Sequence, residues 1–284
     1  MAGDAPAPAD ATRTHWIPLE SNPEVITAFA RRLGMPSSFA FHDVYGLDEE
    51  LLAMVPGQPV RALILLFPIT AATERAAKSQ DAELEAAGAL QAPGGVYYMK
   101  QTVGNACGTI AMLHAIANSR AVMGLEGEGA EEGGKKTEGD NKDNDDGEER
   151  SFLRRFFAAT AALSPAERGK FLERPPADAP DLAQAHRRAA ERGDTAAPDA
   201  EADVDLHFVA LVPAAGRVWE LDGRRRGPVD HGPLSDGVER FLHDAARVAR
   251  GYFSREAEEG GEGGGSINFS LIALSGADDD EDDD

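Results

Sequence analysis

The sequence predicts a mixed α/β or α+β domain. Short apolar runs bounded by glycine or proline, which are typical of buried strands, alternate irregularly with segments of helical periodicity. This alternation shows no clear βαβ unit, and the chain contains no internal repeat. The 284 residues are 42% hydrophobic, which is enough for one sizeable core. We expect a single folded domain over residues 13–275.

The first half of the chain predicts three helices and one strand. Residues 22–33 carry an apolar stripe at helical spacing, which predicts a helix. Residues 60–67 form an apolar run after proline and glycine and predict a buried strand. Residues 71–87 are rich in Ala, Glu and Lys and predict an exposed helix. Residues 110–118 are apolar nearly all round, which predicts a buried helix.

The second half predicts a hairpin, further helices and a long loop. Residues 213–216 are interpreted as a four-residue hairpin loop. Residues 175–204 are dominated by proline, alanine and charge, so we expect a long loop with one short helix near residues 181–191. The other predicted elements are helices over residues 151–162, 164–173 and 236–250, and strands over residues 205–212, 217–222 and 267–274.

Acidic residues are concentrated in two segments that we expect to be disordered. Residues 126–149 hold eleven acids and three lysines, and residues 278–284 hold seven acids; without them the net charge of −22 falls to −7. We therefore assign 126–149 as a disordered acidic insert, 276–284 as a disordered tail and 1–12 as a disordered N-terminus. The acidity argues against nucleic acid or an anionic membrane as the main partner and favours a basic one.

The sequence also bears on compartment and on cysteine chemistry. No stretch approaches the ~20 consecutive apolar residues of a membrane span, and residues 1–10 lack the basic and apolar regions of a signal peptide. We expect a reducing compartment, the cytoplasm, with the nucleus as a further candidate location. Cys107 is the single cysteine, so an internal disulfide and a Cys-rich metal site are excluded and a free thiol is expected.

Cys107 is a candidate nucleophile because it opens the predicted buried helix. Gly104 and Asn105 break the preceding segment, and Asn105 can serve as the N-cap. The unpaired amides and the positive end of a helix favour a thiolate at that position. The alternative is a small buried residue without a chemical role, so the neighbours of Cys107 decide between the two.

His207 is the preferred candidate base among seven histidines. It lies in an otherwise apolar strand, where a polar ring must be paired or functional. With a loop over residues 213–216, Val212 faces Arg217, and His207 then faces Asp222 on the same side of the hairpin. A purely structural His–Asp pair is the alternative.

The other histidines have weaker support as the base. His114 shares a helix face with Cys107 but lies two turns away, ~10.5 Å along the axis, so we expect a core histidine with satisfied hydrogen bonds. The rest are interpreted as residues of exposed, terminal or loop segments: His15, His42, His186, His231 and His243.

Gln101 is a candidate oxyanion donor. It lies six residues before Cys107, so its side-chain amide could act beside the Cys107 backbone N–H. An ordinary glutamine at the end of a strand is the alternative, and Asn105 is a rival donor. Together Cys107, His207, Asp222 and Gln101 would form a Cys–His–Asp thiol hydrolase in the chain order of papain-like enzymes.

These motifs resemble the ubiquitin carboxyl-terminal hydrolase family. The resemblance spans nearly all of residues 13–275. Within the family, the chain resembles the short members, which have a single catalytic domain. It implies that Cys107 is the nucleophile, His207 the general base and then acid, Asp222 the residue that orients the imidazole, and Gln101 the oxyanion donor. The segments that carry it are residues 101–109, 205–208 and 220–223, together with 16–24, 43–46, 54–56, 65–70 and 268–274.

The resemblance also implies a fold and a reaction. We expect a papain-like fold with a central, partly antiparallel sheet between helices, a knotted backbone, and a crossover loop within residues 175–204 that straddles the active site. The implied activity is thiol-dependent hydrolysis after the C-terminal glycine of ubiquitin, with NEDD8 as a second candidate, through an acyl-thioester and with small or flexible leaving groups. We expect a monomer without cofactor or metal. The alternatives are a ubiquitin-binding or stabilising module with little turnover, and a thiol hydrolase for another small modifier.

Overall fold

The computed structural model describes residues 14–91, 94–126, 152–175, 182–193, 205–259 and 269–277. The predicted disordered N-terminus, nearly all of the acidic insert and most of the acidic tail lie outside these residues. Their assignments, and the domain boundaries drawn from them, stay predictions.

A six-stranded antiparallel sheet forms the centre of the fold. Its spatial order is β1-β6-β2-β3-β4-β5, so β6 lies between β1 and β2, and β3 lies between β2 and β4. The prediction of a mixed fold with a central, partly antiparallel sheet is confirmed. The strands are β1 Phe39–Asp43, β2 Ala62–Pro68, β3 Leu206–Ala214, β4 Arg217–Leu221, β5 Val229–Pro233 and β6 Ser270–Gly276.

Eight α-helices surround the sheet in the described part of the chain, and local sequence explains their starts. The Asn22 side chain accepts hydrogen bonds from two amides of the first helical turn, and Ser164 and Glu167 form a capping box. The helices are α1 Pro23–Arg32, α2 Glu49–Leu52, α3 Ala71–Ala86, α4 Cys107–Ser119, α5 Phe152–Thr160, α6 Pro165–Glu173, α7 Leu182–Ala190 and α8 Phe241–Glu259, with a 3₁₀ turn at Val238–Arg240.

Successive side chains of a strand point to opposite faces of the sheet, so the core is divided into two layers, one on each face. Phe208, Ala210 and Val212 of β3 lie in the layer that contains α4. Val209 and Leu211 lie in the layer that contains α8. Each large aliphatic side chain buried in this way contributes about 1.5–3 kcal/mol. The sheet thus lies between α4, which is buried nearly all round as predicted, and α8.

The hairpin between β3 and β4 differs from the prediction in its turn. Ala214 pairs with Arg217, so the loop has two residues, Ala215 and Gly216, whose φ angles are 50° and 72°. Positive φ at both central positions is typical of a type I′ turn, whose twist matches the strands. The predicted register, with residue 212 facing residue 217, is therefore wrong by two residues. A shift of two keeps every side chain on its face, so His207 and Asp222 still share one side of the sheet.

Several other elements depart from the sequence prediction. Strands β1 and β5 and the short helix α2 were not expected; His42 lies on β1 and His231 on β5, rather than in loops. The final strand begins three residues later than predicted and ends two later. The helix expected over residues 236–250 begins as a 3₁₀ turn and continues to Glu259.

The long segment before β3 is described in part. Helix α7 confirms the short helix expected near residues 181–191. Residues 176–181 and 194–204 lie outside the described residues, so the crossover loop and the knot stay predictions. Across the described ranges, none of the helices combines the length and the apolarity needed to cross a membrane.

Candidate active site

Cys107 is the first residue of α4, as predicted. The N-cap is Ala106, which has no side chain able to accept a hydrogen bond from the first turn, so the expectation that Asn105 caps the helix is wrong. Asn105 instead has a left-handed backbone, with φ of 58°, and makes the sharp turn into the helix. The first turn of α4 places the positive end of the helix dipole at Cys107.

Hydrogen bonds and charge favour the thiolate form of Cys107. Burial by itself raises the pKa of the thiol, but a hydrogen bond from His207 and the charge of its ring outweigh burial. The backbone N–H groups of Phe208 and Gly108 add to this effect, so the pKa of Cys107 lies below its usual value. Phe208 follows His207 on β3, so two adjacent residues of that strand contact the sulfur.

His207 connects Cys107 to Asp222. Its Nε2 lies 2.7 Å from Asp222 Oδ1, and only 4% of the His207 side chain is exposed. Burial lowers the pKa of His207, yet the charge and hydrogen bond of Asp222 and the bond to Cys107 reverse the sign and raise it well above its usual value. The Phe67 ring packs edge-on against the imidazole at 5.8 Å between centroids, which restricts its rotation.

Asp222 is held as a carboxylate at the end of β4. Burial raises its pKa, but the charge and hydrogen bond of His207 and the Arg224 backbone N–H outweigh it and lower the pKa. The Arg224 N–H donates to Asp222 Oδ1 at 2.8 Å. Cys107, His207 and Asp222 therefore form one hydrogen-bonded line in which the protonated imidazole separates two negative groups.

Gln101 lies beside the turn that follows Asp222. Its backbone N–H donates to the Gly223 carbonyl at 2.9 Å, and its side-chain Nε2 donates to the Val103 carbonyl at 3.1 Å. Gly223 permits this approach, because a Cβ there would lie 2.9 Å from the Gln101 backbone nitrogen. The structure thus brings Gln101 to Asp222, although the two are far apart in the sequence.

Two buried histidines outside this line give one confirmed prediction and one error. His114 is fully buried; its Nε2 accepts from the Met99 N–H and its Nδ1 donates to the Leu221 carbonyl, so it is the satisfied core histidine that was expected. His186 is also buried, between the Thr109 hydroxyl and the Ile17 carbonyl, and the expectation that it lies on an exposed segment is wrong. Burial lowers the pKa of each to about 4.

Two contributors to the site were missed by sequence reasoning. The Tyr98 hydroxyl lies 2.9 Å from the Asp222 carbonyl oxygen, and the Arg225 side chain is buried next to the same turn. The available signals were Tyr98 three residues before Gln101 and the arginine run that directly follows Gly223. Among the residues that the structure describes, no group of three or more metal-ligating side chains is arranged to hold a metal ion.

Comparison with known proteins assigns the family. The sequence profile described as ubiquitin carboxyl-terminal hydrolase, family 1, matches residues 16–254. Ubiquitin carboxyl-terminal hydrolase 3 of Arabidopsis thaliana is 40% identical over 95% of this chain and 98% of its own length. The chain belongs to the ubiquitin carboxyl-terminal hydrolase family. It is therefore a cysteine-type hydrolase, in agreement with the resemblance seen in the sequence.

Other relatives support the same assignment and the fold. A ubiquitin carboxyl-terminal hydrolase of Aplysia californica is 39% identical over 87% of this chain and 99% of its own length. The catalytic domain of Trichinella spiralis UCH37, solved bound to ubiquitin vinyl methyl ester, superposes with a TM-score of 0.59 at 20% identity, covering 92% of this chain and 96% of that one. This hydrolase accordingly has the papain-like fold of the family.

Proposed function

We propose that this hydrolase cleaves the bond after the C-terminal glycine of ubiquitin through an acyl-thioester on Cys107. The observation that carries the proposal is the Cys107–His207–Asp222 line, with a 2.7 Å bond from His207 to Asp222 and a direct bond from His207 to the thiol. Ubiquitin as the partner is supported by the family assignment and by the ubiquitin adduct bound to the Trichinella spiralis catalytic domain.

Acylation begins from the thiolate–imidazolium pair. The Cys107 sulfur attacks the glycyl carbonyl carbon, and the carbonyl electron pair moves to oxygen. As the tetrahedral intermediate collapses, the bond to the leaving amine breaks and the His207 imidazolium gives that nitrogen its proton. Ubiquitin is then held as a thioester and His207 is neutral.

Deacylation uses the same residues, but His207 now begins as a base instead of an acid. Neutral His207 accepts a proton from a water molecule whose oxygen attacks the thioester carbon. Collapse of the second tetrahedral intermediate expels the Cys107 thiolate beside the imidazolium, and the new carboxylic acid loses its proton to solvent. Asp222 keeps the imidazole oriented through both half-reactions.

Gln101 and the Cys107 backbone N–H are the proposed donors to the oxyanion. A glutamine amide has two N–H donors. The contact with the Val103 carbonyl occupies one direction of Gln101 Nε2 and fixes the side chain. An N–H of this amide is the proposed donor to the developing charge, where one such donor is worth about 10²–10³ in rate.

The family resemblance extends the proposal to substrate range. Small or flexible adducts of ubiquitin are the expected leaving groups, NEDD8 is a second candidate modifier, and the enzyme acts as a monomer. The acidic balance of the chain supports a modifier with a basic C-terminal tail.

Release of a fluorophore amide from the ubiquitin C-terminus tests the proposal, with wild type compared with Cys107→Ala. We expect wild type to turn over and the variant to lose at least about 10³-fold in kcat/KM. Ubiquitin affinity measured on the same variant is the control and should be unchanged. An inactive wild type that still binds ubiquitin would favour the alternative of a binding module, and a matched NEDD8 amide compares the two modifiers.

A further inference from the structure

One tight turn holds both Asp222 and Gln101. The Arg225 backbone N–H donates to the Asp222 carbonyl at 3.0 Å, and the Arg224 N–H donates to Asp222 Oδ1 at 2.8 Å. Between them, the Gly223 carbonyl accepts from the Gln101 N–H at 2.9 Å. Any displacement of residues 222–225 therefore moves the carboxylate behind the imidazole and the backbone of the candidate oxyanion donor together.

The Arg225 side chain fixes the far end of this turn to α3 and β4. Only 6% of that side chain is exposed. Its Nε donates to Asp81 Oδ1 at 2.8 Å, and a terminal nitrogen donates to Gln80 Oε1 at 3.0 Å. Its other terminal nitrogen lies 3.6 Å from Glu220 Oε1. The planar guanidinium presents its donors in a rigid fork, so contacts in three directions leave it little freedom to move.

The Arg225 backbone is tied to the segment that leads into Gln101. The Tyr98 hydroxyl lies 2.8 Å from the Arg225 carbonyl oxygen and 2.9 Å from the Asp222 carbonyl oxygen. The Lys100 ammonium group also donates to the Arg225 carbonyl. Residues 98–101 and 222–225 thus form one hydrogen-bonded unit, and Arg225 connects this unit to Asp81 and Gln80 of α3 and to Glu220 of β4.

We infer that Arg225 is a positioning residue that holds Asp222 and Gln101 in their working geometry through the turn 222–225. This inference rests on the proposed function, because it takes the roles of Asp222 and Gln101 from it. Arg225 itself is directed away from the reacting atoms, toward Asp81 and Gln80. Its loss would act by loosening the turn, since misplacement of catalytic groups by about 1 Å costs about 10²-fold in rate.

The neighbouring arginine offers a matched control. Arg226 carries the same charge one residue later, but 55% of its side chain is exposed and it pairs with the exposed carboxylate of Glu85. Arg226→Met therefore removes the same charge from the same segment without disturbing a buried anchor. Arg225→Lys keeps the charge but not the fork, and Asp81→Asn keeps an acceptor oxygen but not the charge.

The first measurement is alkylation of Cys107 by iodoacetamide as a function of pH. Cys107 is the single cysteine in the chain, so the rate reports on its thiolate alone and requires no ubiquitin substrate. In Arg225→Met, we expect Asp222 to be held less firmly next to His207, so that its charge stabilises the protonated imidazole less. His207 should then lose its proton more easily, and the apparent pKa of Cys107 should rise. A rise of about one pKa unit would reduce alkylation about tenfold on the acid side of the profile.

The second measurement is kcat/KM on the ubiquitin amide together with the thermal midpoint. We expect Arg225→Met to lose about 10- to 100-fold in kcat/KM, Asp81→Asn to change in the same direction by less, Arg225→Lys to be intermediate, and Arg226→Met to stay within about twofold. If Arg225→Met does not fold, Asp81→Asn and Arg225→Lys carry the comparison.

Two results distinguish this inference from the proposed function. Variants of Arg225 and Asp81 with a lower thermal midpoint, but with the alkylation profile and kcat/KM of wild type, would show a purely structural residue and overturn the inference. A wild type that fails to hydrolyse the ubiquitin amide would overturn the proposed function, and the alkylation profiles would still decide the role of Arg225.

Discussion

Two imidazole–carboxylate pairs lie at β4, and they differ in what surrounds them. His207 Nε2 is 2.7 Å from Asp222 Oδ1, and His231 Nε2 is 2.8 Å from Glu220 Oε2. Both carboxylates are buried. The His207 ring also bonds the Cys107 thiol, whereas the second oxygen of Glu220 accepts from the Tyr252 hydroxyl. A short His–carboxylate contact is therefore insufficient to identify a catalytic site. The two pairs are distinguished by the third group that contacts each, the Cys107 thiol in one and the Tyr252 hydroxyl in the other.

Buried histidines elsewhere in the chain make the same point electrostatically. His114 and His186 contact neutral groups, and burial lowers the pKa of both to about 4. For His207 the charges of Asp222 and Cys107 outweigh burial and raise the pKa. Burial alone therefore does not determine whether a histidine is protonated; the neighbouring anions do.

The largest difference in kcat/KM is expected between variants of His207 and variants of His231. His207→Asn should reduce kcat/KM about 10³-fold, because it removes the group that moves the proton. His231→Asn should leave kcat/KM within about threefold, because its pair contacts Tyr252 rather than a nucleophile. Hydrolysis of the ubiquitin amide by both variants at equal folded concentration checks this, and equal losses would remove the distinction between the pairs.

The next largest effect is expected from Asp222→Asn. Loss of the carboxylate charge lowers the pKa of His207 and raises that of Cys107, because each had been shifted through this line. The plateau of kcat/KM against pH should narrow from both sides: the alkaline limb moves to lower pH as His207 deprotonates earlier, and the acid limb moves to higher pH. At the optimum we expect a loss of about 10²–10⁴-fold.

Asp230→Asn is the control for that profile. Asp230 pairs with Arg217 on the more exposed side of β5, and its loss should leave both limbs in place. A profile of Asp222→Asn that kept the wild-type limbs would contradict the assigned charges.

The smallest effect is expected from Tyr252→Phe, which removes one hydrogen bond from the second pair. The variant removes the 2.8 Å bond from the Tyr252 hydroxyl to Glu220 Oε1. A hydrogen bond to a charged group contributes about 1.5–3 kcal/mol, so the free energy of unfolding should fall by that amount in a urea titration. Turnover should stay within about twofold, and a larger loss would show that the second pair takes part in catalysis.

Local sequence signals predicted several helices of the fold, including α4, which begins at Cys107. Composition and periodicity predict α1, α3, α4 and α6 to within a few residues, although the N-cap expected for α4 is wrong. The pairing of His207 with Asp222 was also predicted, although through a register that is wrong by two residues. The prediction succeeded because an even shift keeps side chains on the same face.

The errors concern contacts that sequence neighbours do not reveal. A type I′ turn requires positive φ at Ala215, which alanine does not favour, so the turn residues gave no clear signal. The charged surroundings of His186 in the sequence suggested exposure, but its helix turns the ring toward Thr109 of α4. Arg225 is one of three successive arginines in the sequence, and only the fold places Asp81 next to it.

The position of β6 has a consequence for synthesis of the enzyme. Strands β1 and β2 precede α4, yet neither pairs with the other; both pair with β6, which comes more than 150 residues after Cys107. The sheet that carries His207 therefore lacks the strand between β1 and β2 on the ribosome until residues 270–276 emerge. A nascent chain that ends before β6 already contains Cys107, but it cannot complete the sheet that carries His207. Activity is therefore expected to appear only after β6 has inserted between β1 and β2.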